Sequence, residues 1–195
     1  MDPTTRIHNL HAAGDLRAAA TETLEVYGDE VFGFLLMMMR DPVDASEAFS
    51  QACEDLWTGL GTFAGRGSIR AWFYTLARNA AVRLRRSPHR RRRASLSEVD
   101  VLVEQVRSRT RPYLRTENKD RLAEIRDALD TADRMLLVLR VDREMSWNEI
   151  AEVTSPEDVD AEGLARVAAR LRKRFQLVKA EIRERARHAG ILELG

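Results

Sequence analysis

Of all the residue types in this sequence, arginine has the spacing that most clearly indicates a binding function. Seven arginines fall within eleven positions that hold no acidic residue: Arg83, Arg85, Arg86, Arg90, Arg91, Arg92 and Arg93. Such a block favours contact with a polyanion, even though the formal net charge of the chain is only +1. The alternative is a solvated charge run. Nucleic-acid contact is favoured because the block continues a predicted helix that carries aromatic residues.

The sequence lacks the residue constellations of catalysis and of metal binding. It has no paired nucleophile and base, no phosphate loop of the G-x-x-x-x-G-K form, and a single cysteine, Cys53. The four histidines are too scattered to form a metal site, and one cysteine excludes an intrachain disulfide. We therefore predict a protein that is not an enzyme and that binds no metal ion.

The sequence also shows no export or membrane signal. Its first ten residues, MDPTTRIHNL, contain no apolar signal core. The most apolar run, FGFLLMMM, ends at Arg40 and Asp41, well short of the roughly 20 residues that a membrane-spanning helix needs. These features predict a cytoplasmic protein with no membrane insertion.

The apolar pattern predicts an all-α fold. Hydrophobic residues make up 44% of the chain and charged residues 32%, which suits helices with one buried and one solvated face. Helical spacing recurs at residues 15–27, 30–40, 43–59, 69–86, 120–129, 132–141 and 163–187. A short helix is expected after Ser146, because Ser146 and Glu149 have the form of a capping box. Gly28 and Asp29 are expected to separate the first two helices, and Asp41 with Pro42 to begin the third.

Two domains are predicted, joined by a flexible linker. The first covers residues 1–94, the linker residues 95–118 and the second domain residues 119–195. Residues 99–106 could form a short helix within the linker. In the second domain a short helix, a connection and a long basic helix follow one another, which is the arrangement of a helix-turn-helix. Many helical pairs of this kind bind no DNA.

A glycine-rich loop precedes the arginine-rich helix. Four glycines surround Phe63, and Ser68 is the expected N-cap of the helix. To capture a single-stranded base, a protein needs an aromatic residue for stacking next to cationic side chains that contact the phosphate backbone. Trp57, Trp72 and Phe73 are better explained by core packing. For Asn79, contact with a base edge and a structural hydrogen bond are both open.

Two stretches of the sequence resemble a known family. The segments DPVDASEAFSQACEDLW and FAGRGSIRAWFYTLARNAAVRLRR resemble the second conserved region of bacterial RNA polymerase sigma factors of the extracytoplasmic-function type. The segment DRLAEIRDALDTADRMLLVLRVDREMSWNEIAEVT resembles the start of their fourth region, and VAARLRK resembles its recognition helix. The resemblance covers most of the chain from about Tyr27 onward, apart from the linker.

This resemblance implies a transcription initiation factor that binds core RNA polymerase and promoter DNA and directs the polymerase to specific promoters. It also implies that the protein needs no cofactor. An anti-sigma factor is a further candidate partner. The first domain would recognise and melt the minus-ten element, with contacts carried over to Phe63, Ser68, Arg70, Tyr74, Arg78, Asn79 and Arg83. The second would read the minus-thirty-five element through Arg166, Arg170, Arg172 and Lys173. The polymerase would dock on the acidic face of the third helix, at Asp44, Glu47, Gln51 and Asp55.

The sequence departs from the family at two places. Ala52 stands where the family usually has an acid directly after the glutamine of the third helix, so docking is expected to be weaker or displaced. The connection TSPEDVDAEG is longer than the family's turn and acidic, so it should point away from the duplex or alter the docking angle. For the acidic face, simple solvation is the alternative. For the whole chain, the alternative is a helix-turn-helix regulator that does not act as a polymerase subunit.

Overall fold

The computed structural model describes residues 2–63, 65, 67–86, 120–155 and 159–190. Throughout those residues, every regular element is helical, which confirms the predicted all-α fold. The chain divides into two compact units, Met1–Tyr113 and Leu114–Gly195. The predicted linker, its short helix and the run Arg90–Arg93 lie outside the described residues.

The first unit begins with two helices, α1 (Pro3–Ala12) and α2 (Leu16–Met39). Sequence analysis did not predict α1, and it divided α2 at Gly28 and Asp29. The division was wrong, because Tyr27, Gly28 and Val31 all lie in the buried face of one continuous helix. A glycine inside a helix costs only about 1 kcal/mol, which the burial of that face outweighs.

Helix α3 (Pro42–Gly59) begins as predicted. Asp41 accepts hydrogen bonds from the backbone N–H groups of Val43 and Asp44, at 2.8 and 2.9 Å, and Pro42 occupies the first turn. A short 3₁₀ turn, Leu60–Thr62, follows α3 and leads to helix α4 (Ile69–Arg86). The chain turns back before α3 through Arg40, which adopts the left-handed conformation at φ 59°.

The core of the first unit lies between α2, α3 and α4, which pack against one another pairwise. An aromatic cluster links the three helices. The ring of Phe49 in α3 lies 5.2 Å from that of Phe32 in α2 and 6.3 Å from that of Phe73 in α4. Phe34 and Tyr74 form a further edge-to-face pair at 5.1 Å. Full burial of each ring contributes about 1.5–3 kcal/mol, so this cluster fixes how α4 lies on α2 and α3.

The second unit contains α5 (Asp120–Asp127), α6 (Thr131–Leu137), α7 (Trp147–Thr154) and α8 (Ala161–His188). A π-helical turn, Val138–Asp142, continues α6, and the Arg143 N–H donates to the Val138 carbonyl at 3.0 Å. The capping box of α7 is confirmed, with Ser146 and Glu149 bonding each other's backbone N–H. Helix α8 begins two residues earlier than expected, because Asp160 caps the N–H of Gly163 at 2.7 Å.

The π-helical turn is tied to both of the following helices. The guanidinium of Arg140 donates to the Met145 carbonyl at 2.6 Å and lies 4.8 Å from the ring centroid of Trp147. That ring in turn meets Phe175 of α8 edge-on at 5.5 Å. The stack holds the start of α7 against α8 and thereby sets the geometry of the predicted helix-turn-helix. In the part of the chain that the structure describes, no helix is both long enough and apolar enough to cross a membrane.

Candidate nucleic-acid interface

Helix α4 begins at a loop whose backbone requires glycine. Gly65 and Gly67 have φ angles of 68° and 80°, a region that side-chain-bearing residues rarely adopt. A Cβ atom at Gly65 would meet nothing within 4 Å, so the constraint is the backbone conformation and not the available space. Ser68 then caps the helix by accepting from the Ala71 N–H at 3.0 Å.

Phe63 stands at the start of this loop and is buried. Its ring lies 5.1 Å from that of Trp72 in α4 and meets the His11 ring of α1 edge-on at 5.7 Å. Only 9% of the residue is exposed. Phe63 therefore offers little surface for stacking a base, and its contacts are those of a residue that anchors the loop to the helices on either side.

Arg70 is held by an ion pair with α2. Its Nε and Nη2 donate to the two carboxylate oxygens of Glu30 at 2.7 and 2.8 Å, in the paired geometry that favours arginine over lysine. Both side chains are largely shielded, with 23% and 20% exposure. The guanidinium also lies 5.9 Å from the Tyr27 ring centroid. This arrangement fixes the first turn of α4 to α2.

Tyr74 lies wholly in the core. Its exposure is 0%, and its ring packs edge-on against Phe34. A direct contact between Tyr74 and DNA, as predicted from the sequence, does not fit this position. Sequence analysis carried this contact over from the family, whereas the helix buries Tyr74 together with Phe73 and Ala77.

Arg78, Asn79 and Arg83 lie farther along α4 and remain accessible. Arg78 and Asn79 are half-buried, and Nη1 of Arg78 is 3.4 Å from Oδ1 of Asn79. Arg83 is exposed and forms an ion pair with Asp55 of α3. Beyond it, Arg85 donates to the Met38 carbonyl and Arg86 is exposed. This end of α4 presents the cationic surface that nucleic-acid contact would use.

The acidic face of α3 lies beside this surface. Glu47 and Gln51 are exposed, whereas Asp44 and Asp55 are half-buried. Gln51 Nε2 donates to the Asp55 carboxylate at 3.1 Å. All four residues predicted for docking therefore fall along one side of the helix, at intervals of three or four residues. Asp55 at its end is the residue that pairs with Arg83, so the acidic and the cationic surfaces meet there.

In the second unit, the four predicted DNA-contacting residues are exposed on the first half of α8: Arg166, Arg170, Arg172 and Lys173. Arg166 pairs with Glu162 one turn earlier at 2.6 Å. An exposed ion pair of this kind contributes little to the free energy of unfolding. The neighbouring Arg174 is different. It pairs with the buried carboxylate of Asp133 in α6, with Nε to Oδ1 at 2.6 Å, and this contact raises the pKa of the guanidinium further.

Comparison with known proteins identifies the first unit. Residues 24–92 match the family Sigma-70 region 2. The chain is also similar to RNA polymerase sigma factor YlaC of Bacillus subtilis (strain 168), with 26% identity over 128 residues, which cover 65% of this chain and 74% of that protein. Residues 24–92 therefore carry a sigma-70 region 2. The two matches support the extracytoplasmic-function type, and with it a DNA-binding role in transcription initiation.

The sigma region 2 match begins within α2 and runs past the end of α4, so it includes both the acidic and the cationic surface. Helix α1 precedes the matched residues. Sigma factors are initiation factors and not enzymes, in keeping with the lack of a catalytic motif in the sequence. Because the matches concern whole segments, the assignment of single residues to DNA or to polymerase stays a prediction.

Sequence reasoning missed three residues that hold the two units together internally. His11 contacts the loop before α4, Glu30 holds Arg70, and Asp133 holds Arg174. No sequence signal distinguished these residues from solvated ones, because each partner lies 40 or more positions away in the chain. Only the packing of the helices brings the pairs together.

Proposed function

We propose that this sigma factor binds core RNA polymerase and directs it to specific promoters, where it opens the minus-ten element. One observation carries the proposal. Within the matched residues 24–92, helices α2, α3 and α4 form a core that presents an acidic face on α3 and, at the end of α4, the accessible residues Arg78, Asn79 and Arg83. One small unit thus offers a surface for a basic protein partner next to a surface for a polyanion.

The proposed docking surface is the side of α3 that carries Asp44, Glu47, Gln51 and Asp55. Val43, at the start of the same helix, is 71% exposed and adds apolar area next to these residues. Complementary charge would steer a basic segment of the polymerase toward this side. Ala52 is buried in the core, so it does not interrupt the exposed acidic side.

The proposed minus-ten surface is the far half of α4. Arg78 and Arg83 would contact phosphates, and Asn79 has the donor and acceptor needed for a base edge. Ser68, Arg70, Phe63 and Tyr74 are assigned supporting roles. Ser68 caps α4, Arg70 ties its start to α2, and the two aromatic residues anchor the helix and its loop in the core.

The second unit is proposed to read the minus-thirty-five element, with α7 and α8 as a helix-turn-helix. Arg166, Arg170, Arg172 and Lys173 are exposed on α8 and are the proposed contacts. Arg174 is assigned to holding α8 on α6. We retain residues 1–94, 95–118 and 119–195 as the proposed domains and linker, a cytoplasmic location, and an anti-sigma factor as a proposed further partner.

Affinity capture with core polymerase tests this function directly. The full chain carrying an affinity tag should retain purified bacterial core RNA polymerase. A variant in which Glu47 and Gln51 are both changed to Lys should retain at least tenfold less, because two new positive charges would face a basic partner. Glu25→Lys, an exposed change on α2, is the matched control. No retention of core by the wild type would favour a regulator that acts without being a polymerase subunit.

A further inference from the structure

Helix α1 is attached to the rest of the first unit by specific polar contacts. Asp2 caps it, and Ile7 is completely buried. The Thr4 hydroxyl lies 2.8 Å from the Tyr27 hydroxyl, and Arg6 pairs with Glu22 at 2.8 Å. These contacts fasten one side of α1 to α2 and leave its C-terminal end over the turn that follows α3.

His11, near the C-terminal end of α1, contacts that turn twice. Its Nε2 is 3.0 Å from the Leu60 carbonyl oxygen, which can only accept, so Nε2 must carry the proton and donate. The same carbonyl accepts the Phe63 N–H at 3.2 Å. The His11 ring meets the Phe63 ring edge-on at 5.7 Å. One side chain thus secures both ends of the segment Leu60–Phe63.

The segment Leu60–Phe63 leads into the glycine-rich loop before α4. Phe63 packs on Trp72, and the Trp72 ring lies so close to Gly59 that a Cβ atom there would be 3.3 Å from it. On the other side, a Cβ atom at Gly61 would be 3.2 Å from Leu16, the first residue of α2. The two end residues, Leu60 and Phe63, are buried, and His11 supplies a polar contact to the segment.

We propose that minus-ten binding also uses the glycine-rich loop before α4, that His11 is a positioning residue for this loop, and that α1 acts as a brace on the segment Leu60–Phe63. The brace would hold the start of the glycine-rich loop in its DNA-binding conformation before DNA arrives. Preorganisation of this kind strengthens binding, because the loop does not have to lose conformational entropy when DNA binds. The inference rests on the proposed function, because it assigns α1 a part in promoter recognition.

The test uses full-length variants reconstituted with core polymerase. The probe is a fluorescently labelled single strand that carries the non-template minus-ten sequence of the promoter most strongly transcribed from a genomic fragment pool. His11→Ala should weaken binding of this probe about three- to tenfold, since it removes one hydrogen bond and an aromatic contact. His11→Gln keeps an N–H donor and should recover part of the loss. Core affinity should be unchanged in both.

His8→Ala is the matched control, because it is the same substitution on the same helix at a partly exposed position. It should bind the probe like the wild type. The inference is overturned if His11→Ala binds within twofold of the wild type, if His8→Ala is weakened equally, or if core affinity falls in parallel.

Hydrogen exchange tests the brace without DNA or polymerase. The peptide that contains Phe63 should exchange faster in His11→Ala than in the wild type, and His8→Ala should leave it unchanged. Equal protection in all three proteins would overturn the brace even if the promoter results were positive. Failure of the wild type to bind core would instead contradict the proposed function, so the two failures are distinguishable.

Discussion

At the scale of single residues, the arginines of α4 divide into two groups by what their guanidinium groups contact. Arg70 and Arg85 are engaged by α2, through the Glu30 carboxylate and the Met38 carbonyl. Arg78 lies next to Asn79, and Arg83 pairs at the surface with Asp55. The first group stabilises the unit, and the second group is available for DNA. This division predicts different phenotypes for substitutions on one helix.

Arg78→Ala should weaken promoter binding by the reconstituted polymerase and reduce its dependence on salt. Loss of one phosphate contact removes about one unit from the slope of log K against log salt concentration. The measurement is a salt titration of promoter affinity, with Arg17→Ala on the exposed side of α2 as the control. An unchanged slope would contradict a phosphate contact for Arg78.

Arg70→Ala should act mainly on stability. It leaves the Glu30 carboxylate largely buried with its paired donor gone, which costs roughly 1–3 kcal/mol in the free energy of unfolding. Urea unfolding followed by the indole NMR signal of Trp72 measures the first unit, and Arg86→Ala at the exposed end of α4 is the control. Equal midpoints for Arg70→Ala and the wild type would show that the ion pair carries no stability.

At the scale of elements, α3 and α4 are joined where their two surfaces meet. The Asp55–Arg83 pair is exposed enough to be worth no more than about 1 kcal/mol. Asp55→Asn should therefore release Arg83 and raise the affinity of the free protein for nonspecific duplex DNA by up to about fivefold. Glu54→Gln, on the same helix, is the control. A fall in DNA affinity for Asp55→Asn would contradict a role for Arg83 at the phosphates.

Helix α7 carries a glutamate whose environment opposes its charge. Burial, and to a lesser degree repulsion from Glu149, raises the pKa of Glu152. The folded state then binds its proton more tightly than the unfolded state, so stability falls as pH rises above the ordinary glutamate pKa of about 4.3. Glu152→Gln removes this loss and should stabilise the second unit at pH 7, with no gain below about pH 4.

The indole NMR signal of Trp147 reports the second unit during urea unfolding, because the other two tryptophans, Trp57 and Trp72, lie in the first. Glu152→Gln should raise the urea midpoint at pH 7, and the wild type should approach it as the pH is lowered. Glu162→Gln, exposed at the start of α8, is the control. An equal midpoint at pH 7 would contradict the raised pKa.

The sequence predicted elements well where local signals decide them. The cap at Asp41, the capping box at Ser146 and the N-cap at Ser68 each formed as expected, because they depend on residues a few positions apart. The break at Gly28 was wrong because tertiary burial overrides a weak local preference. Helix α1 was not predicted, because its stability depends on contacts with Tyr27 and Leu60 that the sequence does not display.

Site residues were harder to predict than elements. The family pattern predicted which helices carry the site, yet it could not distinguish an arginine that is accessible at the surface from one that pairs with a distant carboxylate. Arg70 and Arg174 illustrate the difficulty, since their partners Glu30 and Asp133 are 40 and 41 positions away. The DNA contact of Tyr74 was also carried over from the family, although its side chain packs in the core.

At the scale of the whole molecule, two helical units with different surfaces occur in one chain. The first combines an acidic face, an accessible cationic helix end and a braced loop. The second exposes a row of basic residues on α8. Neither unit would be sufficient for initiation by itself. Promoter selection would need the polymerase, the minus-ten surface and the minus-thirty-five surface together. The central claim is therefore about the whole protein acting with core polymerase.

In vitro transcription by core RNA polymerase on a pool of genomic promoter fragments tests this claim most directly. Adding the wild-type chain should yield transcripts from a defined subset of fragments that core alone does not transcribe. The double variant Arg78→Ala with Arg83→Ala should reduce those transcripts at least tenfold, through loss of two charged contacts of about 1 kcal/mol each, while still binding core. Failure of the wild-type chain to promote any transcription, or full activity of the double variant, would contradict the account.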